Sequence, residues 1–227
     1  MIIGEQKPLE EIREMVGQHK KVLVLGCGTC VTVCFAGGEK EAAILASMLR
    51  MSDAINDVDG RSYFEDTVKR QCEWEYLDAI AEEIQSADLV LSMACGIGVQ
   101  AIAERFPQVH VAPAINTTFL GMPVEHGLFL ERCAACGNCV LGATGGICPI
   151  ARCSKSLLNG PCGGSQYGKC EVAPDIPCAW QLIYDRLATL GRLDEMEAFS
   201  PPKDWRTAGG GGPRKIVRED LKVEIRK

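Results

Sequence analysis

The chain has 227 residues, enough for one domain of ordinary size and a smaller one. Its hydrophobic fraction of 47% indicates a globular protein, and its net charge of −6 argues against a nucleic-acid partner, which would need clustered lysine and arginine. No apolar run is long enough for membrane insertion, and the acidic N-terminal segment differs from a signal peptide, so the expected location is the cytoplasm.

Helices and strands are predicted to alternate in the first part of the chain. The predicted elements are a helix over 9–19, a strand over 21–26, a helix over 38–50, a strand over 63–68, a helix over 73–85, a strand over 88–93, a helix over 99–106 and a strand over 109–112. This alternation predicts right-handed crossovers and a mostly parallel sheet. We therefore expect an α/β fold, with a Rossmann-like domain over residues 1–124 that carries a metal site at the carboxyl ends of its strands.

The character of the sequence changes near residue 125. Glycine, proline and cysteine become dense, and periodicity is lost until a predicted helix over 179–190. Because this segment has little apolar material for a core, it needs metal crosslinks to fold, and we predict a small, loop-rich, metal-stabilised domain over 125–195. The tail rich in proline and glycine, 196–227, is expected to be solvated, with packing along a partner as the alternative. Its removal from residue 206 onward is expected to leave the metal content intact.

Thirteen cysteines are the main chemical feature of the chain. In a reducing compartment, dense and clustered cysteines indicate metal ligation rather than disulfides. The predicted metal ligands are Cys27, Cys30, Cys34, Cys72, Cys95, Cys133, Cys136, Cys139, Cys148, Cys153, Cys162, Cys170 and Cys178. No nucleophile–base arrangement, zinc-protease motif or phosphate-binding loop is present, so no catalytic residue is predicted.

The first cysteine group follows predicted strands. Cys27, Cys30 and Cys34 come directly after the first apolar strand, while Cys72 and Cys95 follow later strands. Because ligands of open α/β sheets bind outside the carboxyl ends of strands, these thiols are expected at one edge. The predicted occupant is a [4Fe–4S] cluster held by the first three cysteines and either of the last two, with zinc as the alternative. The match to a dinucleotide-binding fingerprint is poor, because a valine replaces its third small residue.

The second group has the spacing of a ferredoxin. Cys133, Cys136 and Cys139 form C-x2-C-x2-C, and Cys148 precedes a proline, which predicts a second [4Fe–4S] cluster. In ferredoxins the cysteine before proline can ligate a different cluster, so the assignment of Cys148 stays open.

The remaining cysteines, at 153, 162, 170 and 178, are enough for one more tetrahedral site. Zinc is favoured there over another cluster, and an exchange of ligands with the second group is a further alternative.

Six short motifs together resemble one family. They are G-C-G-T-C-V-T-V-C, R-Q-C-E, A-C-G-I-G, E-R-C-A-A-C-G-N-C, G-G-I-C-P and N-G-P-C-G-G. This combination resembles the small iron–sulfur subunit of two-subunit methylenetetrahydrofolate reductases of acetogenic and related anaerobic bacteria, and the likeness covers most of residues 20–190.

The resemblance implies both ligands and partners. It implies one cluster at Cys27, Cys30, Cys34 and Cys95 and a second at Cys133, Cys136, Cys139 and Cys148. It also implies a further metal, for which zinc is the candidate, among Cys153, Cys162, Cys170 and Cys178. In that family the partner is a flavin-binding (FMN or FAD) large subunit that interconverts methylenetetrahydrofolate and methyltetrahydrofolate, and further electron-transfer subunits can join. The expected role is an electron-transfer subunit; the alternative is a zinc-bearing subunit that docks the catalytic partner without carrying electrons.

Overall fold

The structure is a computed structural model that describes residues 1–218 and Asp220. The chain divides into two compact units, the first ending at Glu131 and the second beginning at Arg132. The elements in chain order are β1 (Ile2–Gln6), α1 (Leu9–Val16), β2 (Lys21–Cys27), α2 (Cys30–Val33), α3 (Glu39–Ile55), β3 (Ser62–Val68), α4 (Trp74–Asp78), α5 (Ala81–Ser86), β4 (Leu89–Ser92), α6 (Gly96–Arg105), β5 (Val111–Pro113), β6 (Ile115–Glu125), β7 (Leu128–Cys133), α7 (Pro149–Arg152) and α8 (Ala179–Leu190).

The first unit contains a parallel sheet with the strand order β3-β2-β4-β5. Strand β2 is central and buried on both faces. Val22 and Val24 pack with α1 and α3, whereas Leu23 and Leu25 pack with α4, α5 and α6 on the opposite face. The two-sided burial explains the continuous apolar run of β2, and the predicted α/β fold is confirmed.

The winding direction of the sheet reverses at β2. From β2 the chain crosses to β3 on one side, and it later returns to β4 on the other side. The helices that follow β2 and β4 belong to different apolar layers, α3 to one and α6 to the other. Such a reversal leaves a crevice outside the carboxyl ends of the two central strands, which is where open α/β sheets bind ligands.

A second, antiparallel sheet was not predicted from the sequence. It has the order β1-β6-β7, and Gln6 at the end of β1 pairs with Ile115 at the start of β6. Most of β6 is solvent-exposed, and it contains a glycine and a proline, so it lacks the apolar alternation by which strands are recognised. The predicted helix over 73–85 is in fact two short helices, α4 and α5.

A buried polar group ties α3 to β3. Arg61 Nη1 lies 2.9 Å from Asp53 Oδ1, and the Tyr63 hydroxyl donates to Asp53 Oδ2 at 2.9 Å. Arg61 also donates to the carbonyl oxygens of Gly17 and His19 in the loop before β2, at 2.5 and 2.9 Å. These bonds satisfy the buried Asp53 carboxylate, which would otherwise be costly to desolvate.

Ionisation of Tyr63 is expected to reduce stability at high pH. Burial and the hydrogen bond to Asp53 raise the pKa of Tyr63 to about 12, against the opposing effect of Arg61. The folded-state pKa of Tyr63 exceeds the unfolded value of 10.0. The contribution of the neutral Tyr63 hydroxyl to stability is therefore fully present below pH 10.0, and it is lost as the pH rises from there to about 12. We expect a loss of about 2–3 kcal/mol over this range, measured by urea unfolding. Tyr63→Phe should lack this loss, and identical pH profiles would contradict the assignment.

The second unit is largely irregular and has a small core. Trp180, Ile183 and Leu187 of α8 are buried against Leu157 and Met196. The Trp180 indole N–H donates to the carbonyl oxygen of Leu157 at 3.0 Å, which joins the helix to the preceding loop. So few buried apolar side chains supply little driving force for folding.

No helix among the described residues has both the length and the apolar character needed to cross a bilayer.

Candidate metal centres

Three thiols of the first group follow adjacent strands at the edge of the parallel sheet where its winding reverses. Cys27 is the last residue of β2, Cys95 caps the N-terminus of α6 after β4, and Cys72 lies in the turn after β3. Cys72 is accessible to solvent, yet the surrounding protein, and next the charges of Cys27 and Cys95, raise the pKa of its thiol. Three segments far apart in sequence therefore bring sulfur atoms within electrostatic reach of one another.

A buried amide joins the segments that carry these thiols. Gln71, which is fully buried, donates from Nε2 to the carbonyl oxygens of Leu25 at 2.7 Å and Gly26 at 2.9 Å. Its Oε1 accepts a 2.6 Å hydrogen bond from the buried Ser92 hydroxyl at the end of β4. Gln71 thus fixes the turn that bears Cys72 to both central strands. Sequence reasoning missed it, because a single glutamine next to charged residues has no pattern that marks it as buried.

The other two thiols of the group are placed differently. Cys34 is buried, and its Sγ lies 3.5 Å from the amide nitrogen and 3.7 Å from the carbonyl oxygen of Gly4 in β1. Cys30 begins α2 and is half-buried. Of the triplet predicted together, Cys27 lies beside Cys72 and Cys95, whereas Cys34 contacts the antiparallel sheet.

Backbone amides contact several sulfur atoms of the second unit. The amide of Ala135 donates to Cys133 Sγ at 3.3 Å, and that of Gly164 donates to Cys162 Sγ at 3.5 Å. Each donor is two residues after its cysteine, and Ala135 has a positive φ of 49° that tightens the turn. Amide–sulfur hydrogen bonds favour the thiolate over the thiol, and they are a regular feature around ligated sulfurs.

Cys148 has a related environment. It caps α7, and its Sγ accepts a 3.4 Å hydrogen bond from the amide of Ala151. Burial and the charge of Arg132 lower the pKa of the Arg152 guanidinium, whereas Cys148 raises it. Cys136 Sγ lies 3.6 Å from the carbonyl oxygen of Asn138, inside the same predicted ligand loop.

The last four cysteines share one small cavity. It has a volume of about 20 Å³, enough for a single water molecule or small ion. The cysteines that line it are Cys153, Cys162, Cys170 and Cys178. A hydrogen bond between Cys170 Sγ and Ser154 Oγ, 3.4 Å long, is the main reason that the pKa of the Cys170 thiol is lowered. The structure therefore brings together the four cysteines that were grouped from the sequence only by elimination.

Donor type and location suit a metal at each of these places. Thiolate sulfur is the usual ligand of zinc in structural sites and of iron–sulfur clusters. Among residues 1–218 and Asp220, however, no three histidine, cysteine, aspartate or glutamate side chains are arranged to hold a metal ion. These residues therefore fit a metal by the type of their donor atoms and by their place in the fold, and not by an arranged coordination geometry.

The C-terminal tail departs from the sequence expectation. Up to Arg214 it is hydrogen-bonded to the loop that carries the second cysteine group. The Asn159 side chain exchanges two hydrogen bonds with the backbone of Ser200, at 2.9 and 2.7 Å. Most side chains of this part are exposed, and its hydrogen bonds to the loop were not predicted from the sequence; residues 219 and 221–227 lie outside the described residues.

Comparison with known protein families identifies the region that carries most of the cysteines. Residues 112–206 match the family model of the methylene-tetrahydrofolate reductase C terminal. The match supports the coarser part of the resemblance, similarity to the methylene-tetrahydrofolate reductase C-terminal family, over the region that contains every cysteine from Cys133 to Cys178. The thiols at the sheet edge lie outside the match. No curated protein and no solved structure matches the chain.

Proposed function

We propose that this chain is an iron–sulfur, electron-transferring subunit of a methylenetetrahydrofolate reductase complex. The observation that carries the proposal is the coincidence of the family match with a ferredoxin-like ligand loop, Cys133 to Cys139, and with Cys148 before a proline. The proposed partner is a flavin-containing reductase subunit that interconverts methylenetetrahydrofolate and methyltetrahydrofolate, with further electron-transfer subunits as possible donors. Bound clusters would supply one-electron transfer, whereas this chain's residues would hold and insulate them.

The proposed ligands of the first centre follow the placement of the thiols. We assign Cys27, Cys72 and Cys95, which follow three adjacent strands of the parallel sheet, with Cys30 as the fourth ligand. Cys34 is given a structural role, because its sulfur is buried against Gly4 in β1. This set differs from the one that the family resemblance implies, which includes Cys34 and omits Cys72.

The proposed second centre uses Cys133, Cys136, Cys139 and Cys148. The amides that donate to Cys133 and Cys148 would offset the negative charge of ligated thiolates. The third centre, at the cavity lined by the last four cysteines, is proposed as zinc, since four thiolates are a usual donor set of structural zinc sites.

Cysteine substitutions test the two cluster assignments. Cys136→Ala is expected to remove one cluster, about four iron atoms per chain, while α8 and the parallel sheet stay folded. Cys34→Ala is the matched control, and it should keep the full iron content at some cost in stability. Iron, sulfide and zinc are measured on anaerobically purified protein, together with the cluster EPR signal. An unchanged iron content in Cys136→Ala would contradict the ligand assignment.

A zinc-bearing docking subunit is the second candidate function, and the small cavity lined by four cysteines favours it. The same metal analysis separates the two functions. Zinc without iron in the wild-type protein would refute electron transfer and support docking. Iron with acid-labile sulfide, reducible in the presence of the flavin-containing subunit, would support the first proposal.

A further inference from the structure

The C-terminal tail lies along the loop that carries the ferredoxin-like cysteines. We call residues 200–214 the strap and residues 134–139 the ligand loop. Three strap side chains donate hydrogen bonds to carbonyl oxygens of the ligand loop. They are Lys203 Nζ to Asn138 at 3.0 Å, Thr207 Oγ1 to Cys136 at 2.8 Å and Arg214 Nη1 to Ala135 at 2.8 Å. The donors are more than 60 residues from their acceptors in sequence, so the contact is tertiary rather than local.

The two segments are in close backbone contact. Gly137 has a φ of +78°, and a Cβ on this residue would overlap the carbonyl oxygen of Thr207 and lie 2.8 Å from its Cβ. Only glycine combines this conformation with so close an approach. The glycine in C-G-N-C therefore has a second use, beyond allowing a backbone to approach a cluster: it gives the strap room to lie flat on the loop.

The ligand loop depends on these bonds for its conformation. Among the described residues, no backbone–backbone hydrogen bond involves 134–139. Three of its carbonyl oxygens are instead bound by strap side chains. A backbone without a ladder of its own is ordered only by such partners, because each residue fixed costs about 1–2 kcal/mol of conformational entropy.

The strap is itself anchored at both ends. The backbone of Ser200 accepts one hydrogen bond from the Asn159 side chain and donates another to it. At the other end, Arg214 Nη1 also donates to the carbonyl oxygen of Thr207 at 2.9 Å, which ties the strap to itself where it crosses the loop. Thr207 thus lies at the centre of the contact, bound to Cys136 through its side chain and to Arg214 through its backbone.

We infer that the strap positions the ligand loop for metal binding, with Thr207 and Arg214 as positioning residues. The inference rests on the proposed function in one respect, namely that the loop carries a cluster. Two effects follow from the contacts. Thr207 fixes the backbone at Cys136 in one conformation, and Arg214 and Lys203 place positive charge beside a centre whose thiolates are negative. Nearby positive charge favours the reduced form of a cluster and raises its reduction potential.

A pair of substitutions at Thr207 tests the positioning role in the full-length protein. Thr207→Val removes the hydroxyl at constant shape, and Thr207→Ser keeps it. We expect Thr207→Val to speed hydrogen–deuterium exchange of the ligand-loop amides in the anaerobically purified protein and to weaken iron retention against a chelator about tenfold. Thr207→Ser should resemble the wild type in both measurements, and α8 should exchange equally in all three proteins.

The effect of the positive charge of Arg214 is tested separately, by the midpoint reduction potential of the second cluster. Arg214→Met is expected to shift the potential of the second cluster to more negative values in an EPR-monitored titration. Arg206→Met is the matched control, because Arg206 lies in the strap but pairs with Asp204 rather than with the loop. Equal potentials in the two variants would overturn the electrostatic part of the inference.

The outcomes separate this inference from the proposed function. A wild-type protein without iron would refute the proposed function. A wild-type protein with iron, and with unchanged loop exchange and iron retention in Thr207→Val, would refute the strap alone. In contrast to the unchanged metal content expected from the sequence alone, removal of residues 206–227 should act in the same direction as Thr207→Val, with a larger loss of iron.

Discussion

Gly37→Ala is expected to lower the free energy of unfolding of the first unit by about 4 kcal/mol or more. A Cβ at Gly37 would overlap the carbonyl oxygen of Met93 and lie 2.9 Å from its carbonyl carbon. Neither backbone can move freely. Gly37 O accepts from the amide of Cys27 at 2.8 Å, and the Met93 amide donates to Leu25 O at 2.8 Å. The added methyl must therefore break hydrogen bonds or push apart the segments that carry Cys27 and Cys95.

The measurement is chemical denaturation, with amide exchange in β2 and β4 to locate the loss in the first unit. Gly96→Ala is the matched control at the same edge of the sheet. A Cβ there would meet only Thr117 Oγ1, at 3.8 Å, and Gly96 is the first residue of α6, where alanine favours the helix. Equal destabilisation by the two substitutions would show that the close approach of Gly37 to Met93 has been misjudged.

Gln71→Ala is expected to cost about 3 kcal/mol, because it removes three buried hydrogen bonds at once. The carbonyl oxygens of Leu25 and Gly26 lose their side-chain donor, and the buried Ser92 hydroxyl loses its acceptor. The turn that carries Cys72 would also be released from the central strands. Under the proposed function, the first centre should then lose iron while the second centre keeps it.

Two comparisons make this prediction specific. Gln100→Ala should have little effect, since Gln100 is exposed and binds only the carbonyl oxygen of Gly96 in its own helix. In the double variant Gln71→Ala with Ser92→Ala, the cost should be less than the sum of the single costs, because the unpaired hydroxyl is removed as well. Additive costs would indicate that the hydrogen bond between Gln71 and Ser92 contributes nothing.

Much of the parallel sheet was predictable because its strands are buried on both faces. The apolar run predicted over 21–26 is β2, Lys21–Cys27, and the strand predicted over 88–93 contains β4, Leu89–Ser92. The helix predicted over 179–190 coincides with α8, which begins after Cys178 and ends before Gly191 in the left-handed conformation. In each case the local pattern, an apolar run or a helical periodicity of apolar residues, agrees with the burial that the tertiary structure gives the segment.

The antiparallel sheet was missed because its strands lack that local pattern. In β6 only Ile115 and Gly121 are buried, so polar residues dominate the segment. Its pairing with β1 joins residues more than 100 positions apart, as in the pair Ile2 and Leu120. Strands with an exposed face are stabilised by such pairing rather than by their own hydrophobicity, and a single sequence does not show it.

The cysteine groups also show which features a local sequence pattern predicts and which depend on the tertiary fold. The sequence placed Cys153, Cys162, Cys170 and Cys178 together only because no other group claimed them, and the structure places all four around one cavity. In the first group, short spacing joined Cys34 to Cys27, whereas the fold brings Cys72 and Cys95 to Cys27 and packs Cys34 on β1.

The sequence by itself determined the succession of helices and strands along the first unit, the α/β class and the family resemblance over the cysteine-rich region, because these depend on local periodicity and on motifs of a few residues. Only the tertiary structure decided which thiols are neighbours, that Gln71 joins their segments, and that the tail binds the ligand loop through Thr207. The reason is physical: these contacts depend on strand order and on hydrogen bonds between segments distant in sequence, and no local spacing encodes either of them.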